Sequence, residues 1–332
     1  MLRKWKIAFL DIHTNKVKQI IRSHVPSGFI LEMADTEEMD ERKRLVKDAD
    51  FIITALTPVT EELMRMAPNL KLIQKWGVGY DRIDIDVARE MGIGVAITLG
   101  SNAIPVAELA ITLMQSVYRN IPFIDSSIRE GKWLWLNAEM RDRSFMLHGK
   151  KIGLIGFGFI GRAVASILKG FSVEIIYFDM RRAAPEEEKE FNVSFVDFDE
   201  LISSSDIISL HLPLNQHTRH LINKKNLQKM KPSAIIVNTA RGGLIKESDL
   251  VWALENNIIS GAGIDVLEEE PPSLNNPLFQ LDNVVLTCHM GGVVIDNVSN
   301  MARHIFGNIE KVAHGQSLLE RDIVVHPNKL IK

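Results

Sequence analysis

Three ionisable residues stand at or just after the ends of successive apolar runs in the second half of the chain: Arg241 after "IIVNTA", Glu270 in "GIDVLEEEPP" and His289 in "NVVLTCHMGG". A guanidinium can grip a carboxylate through its planar fork, a carboxylate can orient an imidazole and favour its charged form, and an imidazole can move a proton near neutral pH. Singly, each has a plainer reading. An arginine at a strand end needs some partner, a histidine after a strand is commonly structural, and three glutamates before two prolines read as a solvated turn. As a set they make an acid/base pair with a holder for an anionic group. Upstream, "KIGLIGFGFIGRAV" places Gly156, Gly158 and Gly161 in G-x-G-x-x-G spacing directly after an apolar run and at the head of a helical pattern. Gly156 allows a tight turn, Gly158 lets backbone approach a pyrophosphate, and Gly161 permits close packing of helix on strand. Roughly twenty residues on, "VEIIYF" ends in Asp179, a carboxylate placed to accept hydrogen bonds from an adenosine ribose and to repel a 2′-phosphate. That favours NAD. Arg181 and Arg182 follow at once and keep NADP as the minority reading. No histidine and cysteine cluster has metal-ligand spacing, so no metal is expected, and Cys288 reads as a small packed residue rather than a nucleophile.

Bulk properties set the surroundings of this chemistry. A chain of 332 residues can form two ordinary domains, and 46% hydrophobic with 24% charged residues reads as a globular protein. The net charge of -3 argues against a general nucleic-acid or anionic-membrane binder. A single cysteine leaves no internal disulfide and fits a reducing compartment. The opening "MLRKWKIAFLDIH" has too short an apolar run for a signal peptide, and no later run is long enough to cross a bilayer. A cytoplasmic location is expected.

The elements that must position these residues alternate along the chain. Apolar runs at 6–12, 51–56, 71–76 and 94–98 read as strands of one sheet; a long helical pattern from Asn102 to about Arg129 follows, with Pro105 in its first turn. Runs at 151–156, 172–178, 206–212, 234–240, 260–266 and 283–287 read as a second, more regular sheet, and Ile295 to Val312 as a closing helix. Strands alternating with amphipathic helices predict an α/β protein with doubly wound parallel sheets. In such sheets ligands lie beyond the carboxyl ends of the strands, where Arg241, Glu270 and His289 fall.

The ordered motifs "KLIQKWGVGYDRID", "NAIPVAELA", "GKKIGLIGFGFIG", "HLPLNQHTRHLI", "NTARGGLI", "GAGIDVLEEEPP" and "CHMGG" resemble the D-isomer-specific 2-hydroxyacid dehydrogenases, a family that includes D-3-phosphoglycerate dehydrogenase and the glyoxylate and hydroxypyruvate reductases. The resemblance implies two similar α/β domains with a cleft between them: a flavodoxin-like substrate domain, residues 1–100 plus 296–332, and an inserted Rossmann NAD-binding domain, residues 101–295. It further implies hydride transfer between NAD(H) and C2 of a D-2-hydroxy or 2-oxo acid. Arg241 would hold the substrate, Glu270 would pair with the histidine, and His289 would be the acid/base. The backbone of Trp76, Gly77, Val78 and Gly79 would meet the substrate carboxylate. Cofactor contacts would come from Val106, Gly156, Gly158, Phe159, Ile160, Gly161, Asp179, His211, Leu212, Pro213, Thr218, Thr239, Ala240, Arg241, Asp265, His289, Gly291 and Gly292, with Asp265 facing the nicotinamide carboxamide.

Departures and rivals stay open at this level. Pro105 stands where the family commonly has serine or threonine, and Lys75 and Trp76 either shape specificity or merely cap a strand. A formate-type dehydrogenase on the same fold is disfavoured because that branch resembles a glutamine, not Glu270, beside the histidine; an NAD-sensing binding protein like the C-terminal-binding corepressors shares fold and triad. Trp133, Trp135 and Leu136, large and apolar in a charged stretch, suit a partner surface, and the resemblance points to a homodimer.

Overall fold

Runs such as "FIIT", "IISL" and "IIVN" are buried at every position, as strands are when helices cover both faces of a parallel sheet. The computed structural model describes residues 4–133 and 136–327, apart from the side chains of Leu136, Asn137 and Glu139. The chain divides into two compact units, one formed by Met1–Asn102 with Val293–Lys332 and the other by Ala103–Gly292.

In the first unit β1 (Trp5–Phe9), β2 (Phe29–Met33), β3 (Phe51–Thr54), β4 (Leu72–Lys75) and β5 (Gly94–Ala96) lie parallel in the order β2-β1-β3-β4-β5. That is the flavodoxin-like order. One face packs on Leu45, Leu63 and Ala88; the other packs on the helix Ile295–Ala313 through Ala302, Ile305, Phe306 and Ile309, residues three and four apart on one helical stripe. Strand β2 alternates buried and exposed residues and escaped the sequence reading because its "FILEM" is a short strand at the sheet edge.

The second unit carries β6 (Lys151–Ile155), β7 (Glu174–Phe178), β8 (Val193–Phe195), β9 (Ile207–Leu210), β10 (Ile235–Asn238), β11 (Gly261–Ile264) and β12 (Val284–Leu286). All pair in parallel, in the order β12-β11-β10-β9-β6-β7-β8. The strand order reverses between β6 and β9, which makes their carboxyl ends the topological switch point. Helices Ala103–Tyr118 and Phe159–Leu168 cover one face.

Two expectations change here. The first sheet is not wholly parallel, because β13 (Ile323–Val325) joins β5 antiparallel at its edge. The long helix expected to run to about Arg129 ends at Tyr118, and a second helix spans Ile121–Arg129. Pro122 supplies the reason: its ring would clash with the carbonyl of Tyr118 in a continuous helix, and Asn120 takes a left-handed φ of 50° to turn the chain. Beyond it Trp133 is 65% exposed, whereas Trp135 and the side chain of Leu136 lie outside the described residues. Among the described residues no helix is long and apolar enough to cross a membrane.

Candidate active site

The switch point is built around the glycine-rich turn. Gly156 follows β6 with φ +100°, and a Cβ there would lie 2.6 Å from the His211 carbonyl oxygen, so the backbones after β6 and β9 touch only because no side chain intervenes. At Gly161 a Cβ would lie 2.3 Å from the Gly156 carbonyl oxygen, which is how the helix Phe159–Leu168 sits so close to the turn. Gly158, the residue before that helix, has open space where its Cβ would be. The first-turn N–H groups of Phe159 and Ile160 belong to a helix start, where intrahelical acceptors are lacking and the dipole favours phosphate. Asp179 closes the turn: its carboxylate accepts the Phe157 N–H at 2.7 Å and the Arg181 N–H at 3.3 Å. With about four lone-pair directions, a carboxylate so engaged keeps acceptor capacity for a ribose. The residues present therefore fit a dinucleotide.

After β9, the Thr218 hydroxyl donates to the Pro213 carbonyl at 2.7 Å and closes the following loop, while Leu212 lies against the Gly156 turn. Both ring nitrogens of His211 and the hydroxyl of Thr239 are buried without a hydrogen-bond partner among the described residues. Burial pushes His211 down to about 3, so its ring is neutral at ordinary pH. Orphaned polar atoms of this kind, at the carboxyl end of the sheet, suit a polar ligand.

The three ionisable residues at strand ends follow the next three strands. Beyond β10, buried Asn238 accepts the Ala240 N–H at 3.0 Å and donates to the Arg241 carbonyl at 2.8 Å, clamping the loop that presents Arg241. After β11, Asp265 is 2% exposed and takes the Thr287 hydroxyl at 2.6 Å, the Met290 N–H at 2.7 Å and the Gly291 N–H at 3.0 Å. Its carbonyl accepts the His289 N–H at 2.7 Å. Thus Asp265 braces the loop that carries the histidine, and Val106 packs where a Gly291 Cβ would be.

His289 itself has φ 57°, a left-handed backbone that histidine adopts only when its surroundings demand it. Its Nδ1 lies 2.9 Å from Glu270 Oε2, and Glu270 Oε1 accepts the Leu267 N–H at 3.2 Å. With Nδ1 facing the carboxylate, Nε2 is the nitrogen left to exchange a proton with a ligand. The three glutamates of "EEE" thereby separate. Glu268 pairs with His220 and exchanges N–H-to-carboxylate bonds with Glu247, Glu269 is exposed, and Glu270 meets the imidazole.

In the first unit, Gly77 follows β4 with φ +129°, donates its N–H to the Thr98 hydroxyl at 3.0 Å and accepts the Thr98 N–H at 2.9 Å. Trp76 packs on Phe9 with the ring centroids 5.3 Å apart and the planes tilted by 34°. Lys75 is 7% exposed and its ammonium binds the Ala55 carbonyl. Among the supporting residues, Asn238, His220, Glu247 and Glu268 were not singled out from sequence. Asn238, polar at the end of the apolar run "AIIV", carried a signal; the others become visible only when distant loops meet.

A parallel sheet in dinucleotide-binding order, a glycine-rich turn at its switch point and a histidine–carboxylate pair at its carboxyl edge define a nicotinamide-linked dehydrogenase. The family described as D-isomer specific 2-hydroxyacid dehydrogenase, NAD binding domain, matches residues 111–291. Glyoxylate reductase of Thermococcus litoralis is 40% identical over 286 residues, covering 84% of this chain and 86% of its own. Hydroxypyruvate reductase of Thermotoga maritima is 41% identical over 257 residues, covering 76% and 81%. Among solved structures, NAD-dependent formate dehydrogenase of Staphylococcus aureus in complex with NAD superposes with a TM-score of 0.83 at 29% identity, over 96% of this chain and 99% of that one. The chain belongs to the D-isomer-specific 2-hydroxyacid dehydrogenase family. It is an NAD-linked oxidoreductase of 2-hydroxy and 2-oxo acids.

Proposed function

We propose that the chain reduces a small 2-oxo acid of the glyoxylate or hydroxypyruvate type, with His289 as proton donor, Glu270 as its orienting partner and Arg241 as the holder of the substrate. The 2.9 Å contact between His289 Nδ1 and Glu270 carries this reading, since an imidazole oriented by a carboxylate is suited to deliver a proton to a nascent alkoxide. When bound, the reduced nicotinamide supplies hydride to C2. Arg241 braces the carboxylate and offsets negative charge growing on the carbonyl oxygen, and His289 Nε2 protonates that oxygen. To Trp76–Gly79 we assign backbone contact with the substrate carboxylate, to residues 1–100 with 296–332 the substrate role, and to residues 101–295 the cofactor role. The names of the relatives, glyoxylate reductase and hydroxypyruvate reductase, support small substrates.

The test is NADH oxidation with glyoxylate, hydroxypyruvate, 3-phosphohydroxypyruvate, pyruvate and longer 2-oxo acids. Turnover far above background with the short acids is expected; none across the panel would leave the chain as an NAD-sensing binding protein. The role of Glu270 is read from the split between kcat and KM. With a neutral amide in place of the carboxylate the imidazole loses its orienting partner, so Glu270→Gln is expected to lower kcat while KM for the oxo acid changes little. An unchanged kcat would return Glu270 to a purely structural role.

A cytoplasmic homodimer belongs to the same proposal. One cysteine fits a reducing compartment, and exposed Trp133 fits a subunit contact. Light scattering giving a monomer mass at micromolar concentration would count against the dimer.

A further inference from the structure

The turn after Asp179 holds Arg181 and Arg182, the two cations that kept NADP open as a cofactor, and Arg182 is already engaged. Its Nε donates to Glu188 Oε1 at 2.8 Å and its Nη2 to Oε2 at 2.9 Å, a bidentate fork on one carboxylate. Glu188 is fixed from the other side by the Tyr177 hydroxyl, which donates to Oε1 at 2.8 Å and accepts the Ala183 N–H at 2.9 Å. Tyr177 is fully buried, so this anchor belongs to the core rather than to the surface. Phe195 lies beneath the guanidinium, 5.6 Å from it. Next to Glu188, Glu187 engages Arg162 at 3.0 Å and the Ala184 N–H at 3.2 Å. The acidic start of the helix Pro185–Phe191 thus draws in the cations on both flanks of the Asp179 turn.

We propose that Glu188 is a specificity-determining residue for the cofactor, holding Arg182 in a closed fork so that it cannot receive a 2′-phosphate. The proposal rests on the reading that the adenosine ribose lies at Asp179. A 2′-phosphate asks for the same bidentate donor geometry that Glu188 already fills. To bind it, Arg182 would have to open that fork and leave Glu188 as a second negative charge near the phosphate, beside Asp179. Two carboxylates therefore select NAD by different means: Asp179 repels the phosphate, and Glu188 withholds its partner. The Arg182 and Tyr177 hydrogen bonds hold the Glu188 carboxyl down at about 2, so it stays charged throughout the working pH range.

Binding reports on this directly. Dissociation constants for NADH and NADPH are measured by fluorescence titration, without substrate, for the wild type, Glu188→Gln, Glu188→Ala, Asp179→Ala and Glu188→Gln combined with Arg182→Ala. Glutamine keeps an acceptor for Tyr177, and so protects the fold, while removing the charge. The NADPH-to-NADH ratio of dissociation constants is expected to fall about tenfold in both Glu188 variants, the worth of one charge-assisted fork. Adding Arg182→Ala should restore the wild-type ratio. A ratio that moves with Asp179→Ala but with neither Glu188 variant overturns the assignment of Glu188, as does a gain that survives Arg182→Ala. A ratio moved by none of these variants overturns the placement of the ribose itself.

Discussion

Replacing His289 is expected to lower the turnover number for 2-oxo acid reduction by about 10²–10⁴-fold, the usual contribution of a positioned acid, while KM for the oxo acid should change far less. The choice of replacement matters, because His289 has a left-handed φ of 57°. Alanine keeps the Cβ that makes this region costly and loses the polar side chain that favours it, so a relaxed loop could mimic a lost proton donor. Asparagine enters that region readily and cannot serve as an acid at neutral pH. His289→Asn is thus the cleaner variant, and the two should lose turnover alike while His289→Asn keeps the melting temperature. If His289→Asn retained more than a tenth of wild-type turnover, proton delivery would have to be assigned elsewhere.

Gly242→Ala should be nearly as damaging, although it removes no functional group. A Cβ on Gly242 would lie 1.9 Å from the Leu267 carbonyl oxygen, 2.0 Å from its carbon and 2.5 Å from the Glu268 nitrogen. These are backbone atoms and cannot swing aside. The loop that presents Arg241 and the loop that presents Glu270 therefore touch at this residue, and the methyl group drives them apart. Overpacking of this kind costs about 1–3 kcal/mol, and a displacement near 1 Å at reacting groups costs about 10²-fold in rate. We expect a lower melting temperature together with a fall in kcat/KM of about a hundredfold. Gly170, whose Cβ would meet nothing within 4 Å, is the control, and Gly170→Ala should leave both quantities close to wild type. Equal behaviour of the two glycine variants would show that the loops do not depend on each other.

How much of this could be read without coordinates depends on the range of the interaction concerned. The glycine turn at 156–161, Asp179 at the end of β7, and the apolar runs of β6, β9 and β10 are local patterns, set by period, burial and the conformational freedom of glycine. Short edge elements fell below that signal: β2 and β8 are brief strands at the edges of their sheets, and β13 is a three-residue strand whose partner lies far away in the chain. Arg241, Glu270 and His289 were conspicuous by type and position at strand ends, yet the amino-acid order left "EEEPP" poised between a solvated turn and a site. Tertiary structure decided it, because only when the loops after β11 and β12 fold side by side does one glutamate of three come within 2.9 Å of the imidazole. The same holds for the two arginines after Asp179. Their presence announced a choice between cofactors, but which way Arg182 points depends on a buried tyrosine five residues earlier and a glutamate six residues later, and a side chain's partner is fixed by packing rather than by sequence neighbourhood. Composition and periodicity determined the two sheets and the kind of chemistry at their edge; which charges act and which are held away was settled by the contacts that folding closes.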